Sequence, residues 1–384
     1  MKKKIDKVLL LAAGCAGEKS QIECLVFYTN IDLARAYLHR KKITILNEYL
    51  FIKAFLVSVT DEEMFELAKL SYIKHLSSNS QAFALIDVSR KILGTDRLGL
   101  SGKGITIAYI DTGIHSHLDF KLIRDRVVFF KDFISDKNSM YDDNGHGTFV
   151  TGVGSGSGYL SGGKFSGIAP CSNIISLKAL DKRGEAGSEK ILDAMQWVYD
   201  NHKKFNIRVV CMSFGSEPLG INDPMMKGAE ALWKEGVVVV AAAGNSGPEY
   251  ETIKSPGVSP YILTVGGFDD ARFEDGGFDR KNFKIANFSS RGPAFRRYKP
   301  DIVAPSVNIN SCGIKESYVK LSGTSVATPM IAGMSALLLE RNSWLSPNDV
   351  KRILISSASA ITHNRNLEGY GFPNIRRALH STLL

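Results

Sequence analysis

The most constraining feature of the sequence is a series of short segments that are apolar almost throughout. Three of them are "ITIAYID" from residue 105, "RVVCMSF" from residue 208 and "GVVVVAAAGN" from residue 236. The intervening segments include "EKILDAMQWVYDNHKK" and "PMMKGAEALWKEG", which have helical spacing. Strands without a polar face must be covered on both sides, and alternating helices provide that cover. The sequence therefore predicts an α/β fold with a doubly wound, mostly parallel sheet.

Residues 21 to 78 have a different pattern and predict a second, smaller domain. Their order is strand, helix, strand, strand, helix, strand, with a turn near Asn47 and a capping box formed by Thr60 and Glu63. This order is typical of a ferredoxin-like α+β domain. A polar, glycine-punctuated region follows, from about 80 to 102. We therefore expect a first domain at 1–79 and a second at 80–384.

Charge and cysteine content narrow the function classes. Lys and Arg outnumber Asp and Glu by 48 to 39, but the basic residues are dispersed, so a basic surface is favoured over a nucleic-acid site. The five cysteines form no CxxC pair, which favours free thiols and a cytoplasmic location. The segment "MKKKIDKVLLLAAGCAG" is interpreted as a leading helix, with a short export signal, and hence a spore or envelope location, as the alternative. No apolar run reaches membrane-spanning length.

Two candidate functional residues come early in the second domain. Asp111 ends the strand "ITIAYID", and the carboxyl ends of parallel strands are where ligands collect; a simple capping role is the alternative. His146 lies between Gly145 and Gly147, which allow close backbone approach and leave the imidazole uncrowded. An imidazole in that setting suits a general base near neutral pH.

Two further candidates follow later in the chain. Ser325 lies in "LSGTSVATPMIAG" at a predicted helix start, where free backbone N–H groups favour a developing negative charge. The alternative is an ordinary serine N-cap. Pro329 is expected in the first turn, where its missing N–H has no partner to lose. Asn245 closes "VVVVAAAGN" and is either an oxyanion donor or a turn residue.

Four blocks, taken in order, resemble the subtilisin-like serine proteases. They are "AYIDTGI", "NGHGTFVTG", "AAAGNSGP" and "SGTSVATPMIAG", and "NFSSRGP" and "KPDIVAPSVNI" agree with them. The likeness extends from about 100 to 380 and is strongest to the bacterial branch with many intracellular members. It implies a serine endopeptidase with the triad Asp111, His146 and Ser325, and an oxyanion hole that includes Asn245.

The resemblance also implies how a polypeptide substrate binds. The main specificity pocket is expected between two walls, one formed by Ser213, Phe214 and Gly215 and the other by Ala243 and Gly244. An edge strand from Gly184 to Gly187 is expected to pair with extended substrate. At Lys254 a solvated lysine is expected, and the alternative is a lysine that approaches the pocket floor and favours an acidic side chain there.

By the same resemblance, the first domain is an inhibitory propeptide of a self-processing zymogen. Cleavage is expected near 76–82, and a permanent accessory domain is the alternative. The chemistry requires no cofactor. Gln81 and Asp119 match two calcium ligands of the family, but the loop "GSGSGYLSGGKF" that would complete the site has no carboxylate or Asn, so a structural calcium is one of two open alternatives.

The sequence departs from the family pattern at three positions near these blocks. Phe149 and Thr151 replace the usual His and Ala, and Val326 replaces the Met that usually follows the nucleophile. None of these changes removes a catalytic group. Two other functions remain as alternatives: a catalytically silent regulatory relative, and a dedicated processing protease that cleaves one partner zymogen.

Overall fold

Two compact units make up the chain, and each is described separately. The computed structural model describes residues 4, 5, 9, 21–78, 88–96, 98–121, 125–273 and 277–380. The first unit comprises residues 1–82 with 122–124, and the second comprises 83–121 with 125–384. The expected boundary at 79/80 lies outside the described residues and stays a prediction.

The first unit has the predicted order of elements. Its strands and helices are β1 (Ile22–Tyr28), α1 (Ile31–Arg40), β2 (Thr44–Tyr49), β3 (Ala54–Val59), α2 (Asp61–Lys69) and β4 (Ile73–Ser78). The strands form one sheet in the order β2-β3-β1-β4, with antiparallel pairing throughout. This is the split β-α-β arrangement of ferredoxin-like folds.

Local sequence signals explain the start of α2 but not the turn before β3. Thr60 accepts a hydrogen bond from the Glu63 amide, and the Glu63 carboxylate accepts one from the Thr60 amide, which confirms the capping box. The turn predicted near Asn47 is wrong. A bulge between Ile45 and Asn47 lets β2 continue, and the chain reverses at Leu50–Ile52 with Lys53 left-handed.

The second unit is built on a large, mostly parallel sheet. Its strands are β5 (Thr106–Asp111), β6 (Val127–Asp132), β7 (Asn173–Lys178), β8 (Ile207–Met212), β9 (Val238–Ala242), β10 (Leu263–Asp269), β11 (Lys284–Ile285) and β12 (Ile302–Pro305), with a separate antiparallel pair β13 (Ile309–Cys312) and β14 (Tyr318–Leu321). The order is β11-β10-β9-β8-β5-β7-β6, and β12 also pairs with β10. Only the short β10–β11 pairing in this sheet is antiparallel among the described strands.

Helices accompany this sheet, and the described ones are α3 (Val88–Leu93), α4 (His146–Ser155), α5 (Ser188–Asn201), α6 (Pro224–Lys234), α7 (Thr324–Arg341), α8 (Pro347–Ser356), α9 (Arg365–Glu368) and α10 (Ile375–His380). Every residue of β5 and of β9 is buried, as the apolar segments predict. The doubly wound α/β fold is therefore confirmed. Strands β6 and β7 lie on one side of β5, whereas β8, β9 and β10 lie on the other. The end of β5 is thus a topological switch point, where such sheets bind ligands.

Helix α7 is apolar on all sides and is buried from Thr324 to Leu339, except for the half-buried Ser325. It packs against β8, β9, β10 and α4. The prediction for Pro329 is wrong, because α7 starts at Thr324 and the proline falls in its second turn. Proline there cannot supply the N–H that would bond the carbonyl of Ser325.

Helices α4 and α7 approach each other through glycines. A Cβ added to Gly154 of α4 would lie 3.3 Å from the Pro329 carbonyl oxygen, and one added to Gly333 would lie 3.2 Å from the Gly154 carbonyl oxygen. A Cβ on Gly154 would also run into the Tyr109 hydroxyl of β5. Main-chain carbonyls therefore lie close to both glycines, and the side chains of Tyr109 and Ile168 also pack against them.

The described residues bear on two expectations, one about membrane-spanning segments and one about the cysteines. In the described part, no helix combines the length and apolar character needed to span a bilayer. Cys171, Cys211 and Cys312 are free thiols, and Cys15 lies outside the described residues.

Candidate active site

Asp111 and His146 meet at the carboxyl end of β5. Asp111 is the last residue of the strand and is buried, and His146 is the first residue of α4. The Nδ1 atom of His146 lies 2.8 Å from Oδ1 of Asp111. The same oxygen accepts the Thr112 amide at 2.7 Å. The aspartate therefore holds the imidazole with Nδ1 as the donor, which leaves Nε2 free to accept a proton.

The environment of His146 sets the direction of its pKa shift. Burial lowers the pKa of His146, but the charge of Asp111, its hydrogen bond and the charge of Asp142 raise it, and the net pKa lies above the usual value. About a quarter of the side chain, 26%, is exposed, so the imidazole can still reach a substrate. A carboxylate partner of this kind favours the imidazolium that forms during proton transfer.

Asp142 organises the loop before α4, and the sequence analysis missed it. Its Oδ1 atom accepts the Thr112 hydroxyl at 2.9 Å and the Gly145 amide at 2.7 Å, while its Oδ2 accepts the Thr148 amide and hydroxyl. Burial raises the pKa of Asp142, but these hydrogen bonds outweigh burial and lower it. Asp142 thus ties the start of α4 to the residue after Asp111. The only sequence signal was an acidic residue shortly before the helix.

Lys178 was also missed, because a single lysine in an apolar strand has no motif. It is fully buried at the end of β7, directly beside Asp111 in the sheet register. Its ammonium donates to the Thr112 carbonyl at 2.6 Å, the Leu180 carbonyl at 3.0 Å and the Asp143 carboxylate at 2.7 Å. These bonds offset the cost of burying the charge and fix the loop against the sheet.

The glycines around His146 have the role that the sequence suggested. Gly145, directly before α4, has φ of 99°, a left-handed conformation that suits glycine. A Cβ on Gly147 would run into the Gly113 carbonyl. The backbone beside the imidazole therefore packs directly against the Gly113 main chain, just after β5, at a distance that leaves no room for a Cβ on Gly147.

Ser325 lies in the first turn of α7 and is not an N-cap. The N-cap position is held by Gly323, with no side-chain cap. The Ser325 amide has no hydrogen-bond acceptor within the described ranges. A free N–H at a helix N-terminus is suited to receive negative charge.

Asn245 is oriented by Thr324, the residue before Ser325. The Oδ1 atom of Asn245 accepts the Thr324 amide at 2.9 Å and the Thr324 hydroxyl at 3.0 Å. Because both groups are donors here, Nδ2 must be the other end of the amide, free to donate. A Cβ on Gly323 would lie 3.3 Å from that Nδ2 and 3.1 Å from Oγ of Ser325, so the amide and the hydroxyl face the same space. The sequence analysis did not identify Thr324.

No hydrogen bond joins His146 to Ser325 within the described residues. Catalytic contacts are often long without substrate and tighten when it binds. The two helices that carry these residues pack together, and each residue lies in the first turn of its helix.

A pocket of about 250 Å³ opens beside Ser325. It is lined by Ser213, Phe214, Gly215, Ala242, Gly244, Asn245, Ser246, Lys254, Thr324 and Ser325. Ala243 was expected in the wall, but Ala242 lies there instead. Neighbouring residues of an extended chain point to opposite sides, so Ala243 packs into a buried apolar cluster with Ile253 and Val258.

Lys254 lies against this pocket rather than in open solvent. Its side chain is only 16% exposed, and its ammonium forms an ion pair with Glu217, whose side chain is 80% exposed. The expectation of a solvated lysine is therefore wrong for the aliphatic part of this side chain, which is mostly buried.

The segment expected to pair with substrate is irregular here. Gly184 lies in a turn closed by a bond from the Asp181 amide to the Glu185 carbonyl, and has φ of 79°. Gly187 is extended and exposed. The structure assigns no strand to these described residues, so edge pairing with substrate stays a prediction.

The surroundings of Asp119 do not suit the expected calcium ion. Its carboxylate accepts the Leu160 amide at 3.1 Å, the Gly158 amide at 3.0 Å, the Tyr318 hydroxyl at 2.8 Å and the Cys312 thiol at 3.5 Å. Calcium requires several oxygen ligands, whereas this loop turns N–H donors towards the carboxylate. Gln81, the other expected ligand, lies outside the described residues.

The chain has sequence relatives among known proteins. Residues 102–372 match the peptidase S8 family, described as the subtilase family. Serine protease AprX of Bacillus subtilis is 37% identical over 315 residues, covering 75% of this chain and 70% of that protein. Thermostable alkaline protease of Halalkalibacterium halodurans is 27% identical over 377 residues, covering 97% of this chain and 96% of that protein.

Solved structures agree with the sequence relatives. Sphericase is 28% identical with a TM-score of 0.64, covering 74% of this chain and 96% of that chain. The S41 psychrophilic protease is also 28% identical, with a TM-score of 0.65, covering 76% of this chain and 99% of that chain.

Proposed function

Because this chain belongs to the subtilase family of serine proteases, and is a subtilisin-like serine endopeptidase, we propose that Ser325, His146 and Asp111 form its catalytic triad. The observation that carries the proposal is the anchoring of Asn245 by Thr324, which turns one amide donor into the space that Oγ of Ser325 faces. The hydrogen bond between His146 and Asp111 at the neighbouring strand end supplies an oriented base.

The residues then act in a fixed order. Oγ of Ser325 attacks the carbonyl carbon of a peptide bond while Nε2 of His146 takes the hydroxyl proton. Asp111 stabilises the resulting imidazolium. The oxyanion receives hydrogen bonds from the Ser325 amide and Nδ2 of Asn245. The imidazolium returns the proton to the leaving amine, and water, activated by the same imidazole, hydrolyses the acyl-enzyme. The proposed chemistry uses no cofactor.

Labelling with a fluorophosphonate tests the assignment of the nucleophile. Wild type is expected to label, Ser325→Ala is not, and Ser322→Ala serves as the matched control because that neighbouring serine is exposed. Labelling that persists in Ser325→Ala would overturn the triad. Absence of labelling in wild type, with the fold intact, would favour a catalytically silent relative.

We also propose that the first unit is the propeptide and intramolecular inhibitor of a self-processing zymogen. Its separate compact fold supports this, and the alignment with the thermostable alkaline protease extends over nearly the whole chain. N-terminal sequencing is expected to find wild type cut near residues 76–82 and Ser325→Ala uncut. A full-length, fully active wild type would show an accessory domain instead.

Digestion of casein distinguishes a protease of broad specificity from a processing protease that is dedicated to one partner. A degradative enzyme digests casein after maturation. A processing protease, specific for one partner zymogen, leaves casein intact while still labelling at Ser325.

A further inference from the structure

The floor of the pocket beside Ser325 is formed by a lysine side chain. The Lys254 amide donates to the Ala243 carbonyl at 2.9 Å, and the next residue, Ser255, exchanges backbone hydrogen bonds with Ser216. Lys254 is therefore held by both pocket walls at once, the one that contains Gly215 and the one that contains Gly244. Its backbone position does not depend on its ammonium group.

The glycines of the two walls make room for the lysine stem. A Cβ on Gly215 would lie 2.6 Å from Cβ of Lys254, and a Cβ on Gly244 would lie 2.5 Å from its Cγ. The aliphatic part of the side chain thus fills the space between the walls and closes the pocket.

Lys254 is the one charged residue among the described residues that line the pocket. The other lining residues in the described part of the chain are neutral. Glu217 pairs with the ammonium, yet it does not line the pocket and is 80% exposed. Because Glu217 is 80% exposed, water screens its side of the ion pair, so a carboxylate that enters the pocket can compete for the ammonium. An ammonium has three donors and can also bond both carboxylates.

We propose that this pocket selects an acidic side chain on the substrate residue whose carbonyl Ser325 attacks, the P1 residue. The inference rests on the proposed function. Lys254 gives the entering carboxylate a hydrogen bond to a charged donor, whereas a neutral side chain of the same shape gains much less. Glu217 acts as an internal competitor that weakens the preference without reversing it.

Matched peptide substrates test the preference. The mature enzyme is assayed with peptide p-nitroanilides that differ only at P1, as Glu, Gln, Lys or Phe, and the readout is the ratio of kcat/KM for Glu to that for Gln. Wild type is expected to prefer Glu by about ten- to a hundred-fold, the range for a hydrogen bond to a charged group. The ratio is expected to fall with added salt, since part of the pocket is open to solvent.

Two variants isolate the charge. Lys254→Met keeps an unbranched chain but removes the ammonium, and is expected to bring the ratio to one or below. Glu217→Gln removes the competitor and is expected to raise the ratio. Thermal melting of each variant checks that it is folded, and the Gln substrate checks that it still cleaves.

The outcomes distinguish a failure of the proposed P1 preference from a failure of the proposed catalytic triad. A Glu to Gln ratio of one or less in wild type, or a ratio that Lys254→Met leaves unchanged, overturns the acidic preference while peptide cleavage stands. If no peptide is cleaved and Ser325 does not label, the proposed function itself fails. A higher ratio in Glu217→Gln and a lower one in Lys254→Met together support the proposal.

Discussion

Replacement of Asp111 by Asn tests how the carboxylate assists His146. Two donors converge on Oδ1 of Asp111, the Nδ1 atom of His146 and the Thr112 amide. Oδ2 is buried without a partner in the described structure. An asparagine is therefore expected to place its oxygen where Oδ1 was, because the reverse orientation would set two donors against each other. The imidazole should keep its tautomer, and the change should remove mainly the charge.

The size of the effect follows from that charge. Charge centres about 4 Å apart interact by about 4 kcal/mol at an effective dielectric constant of about 20. Since about 1.4 kcal/mol corresponds to a factor of ten in rate, kcat is expected to fall about 10³-fold. The pKa of His146 should fall as well, because burial, which lowers it, is then no longer outweighed by Asp111.

The pH profile of kcat/KM is the assay. Catalysis needs neutral His146, so activity rises as pH passes the pKa of that residue, above the usual value in wild type. In Asp111→Asn the acid limb is expected to move to lower pH, because the variant loses the Asp111 charge that raises the pKa of His146. Asp193→Asn is the matched control, since it makes the same substitution at an exposed carboxylate on α5. An unmoved acid limb, or a loss of kcat under ten-fold, would refute this reasoning.

The linked effect on stability has the opposite direction in pH. A histidine with a raised pKa in the folded state stabilises the fold fully below its unfolded pKa, and this contribution disappears as pH rises through the folded pKa. Wild type should therefore lose more stability than Asp111→Asn as pH rises through that window, measured by thermal melting.

Three further predictions concern other parts of the site. Asn245→Ala should lower kcat about 10²- to 10³-fold with little change in KM, as loss of one oxyanion donor does in a subtilisin; a change confined to KM would contradict the donor role. Val326→Met should make inactivation by peroxide faster than in wild type, because wild type has no thioether directly after the nucleophile; equal rates would remove the basis for that expectation. Excess EDTA should leave the melting temperature unchanged, because Asp119 already accepts four hydrogen bonds from protein donors, and a clear fall would restore the calcium site.

Features that depend on neighbouring residues could be predicted from the sequence. The buried strands follow from their apolar composition, and the start of α2 follows from Thr60 and Glu63 three residues apart. The position of Asp111 at the end of β5 and that of Asn245 shortly after β9 follow from the same segments. In each case the physical cause lies within about one turn or one strand of the residue.

Features that depend on distant residues were not predicted. Asp142 is recognisable only after folding brings Thr112, thirty positions away in sequence, within hydrogen-bond distance. Lys178 has no local signal because two of its three hydrogen-bond partners, Thr112 and Asp143, are more than thirty positions away in sequence. Ala243 was placed in the pocket because a motif does not say which residues of an extended segment share a face. Pro329 was misplaced by a few residues because the first helical residue is set by the contacts of Thr324 with Asn245.

The glycine crossing of α4 and α7 has a consequence for how reproducibly the base and the nucleophile are spaced. Side chains at a helix contact can change rotamer, and substitutions change their size, so the distance between two helices that meet through side chains can vary. At Gly154 and Gly333 neither helix contributes a side chain of its own, so a main-chain carbonyl of the opposite helix lies close to each glycine, beside the side chains of Tyr109 and Ile168. The spacing of the two helices that carry His146 and Ser325 therefore depends on a contact outside the substrate pocket. A single methyl group on Gly154 would meet the Tyr109 hydroxyl and alter this spacing, although every catalytic side chain would still be present.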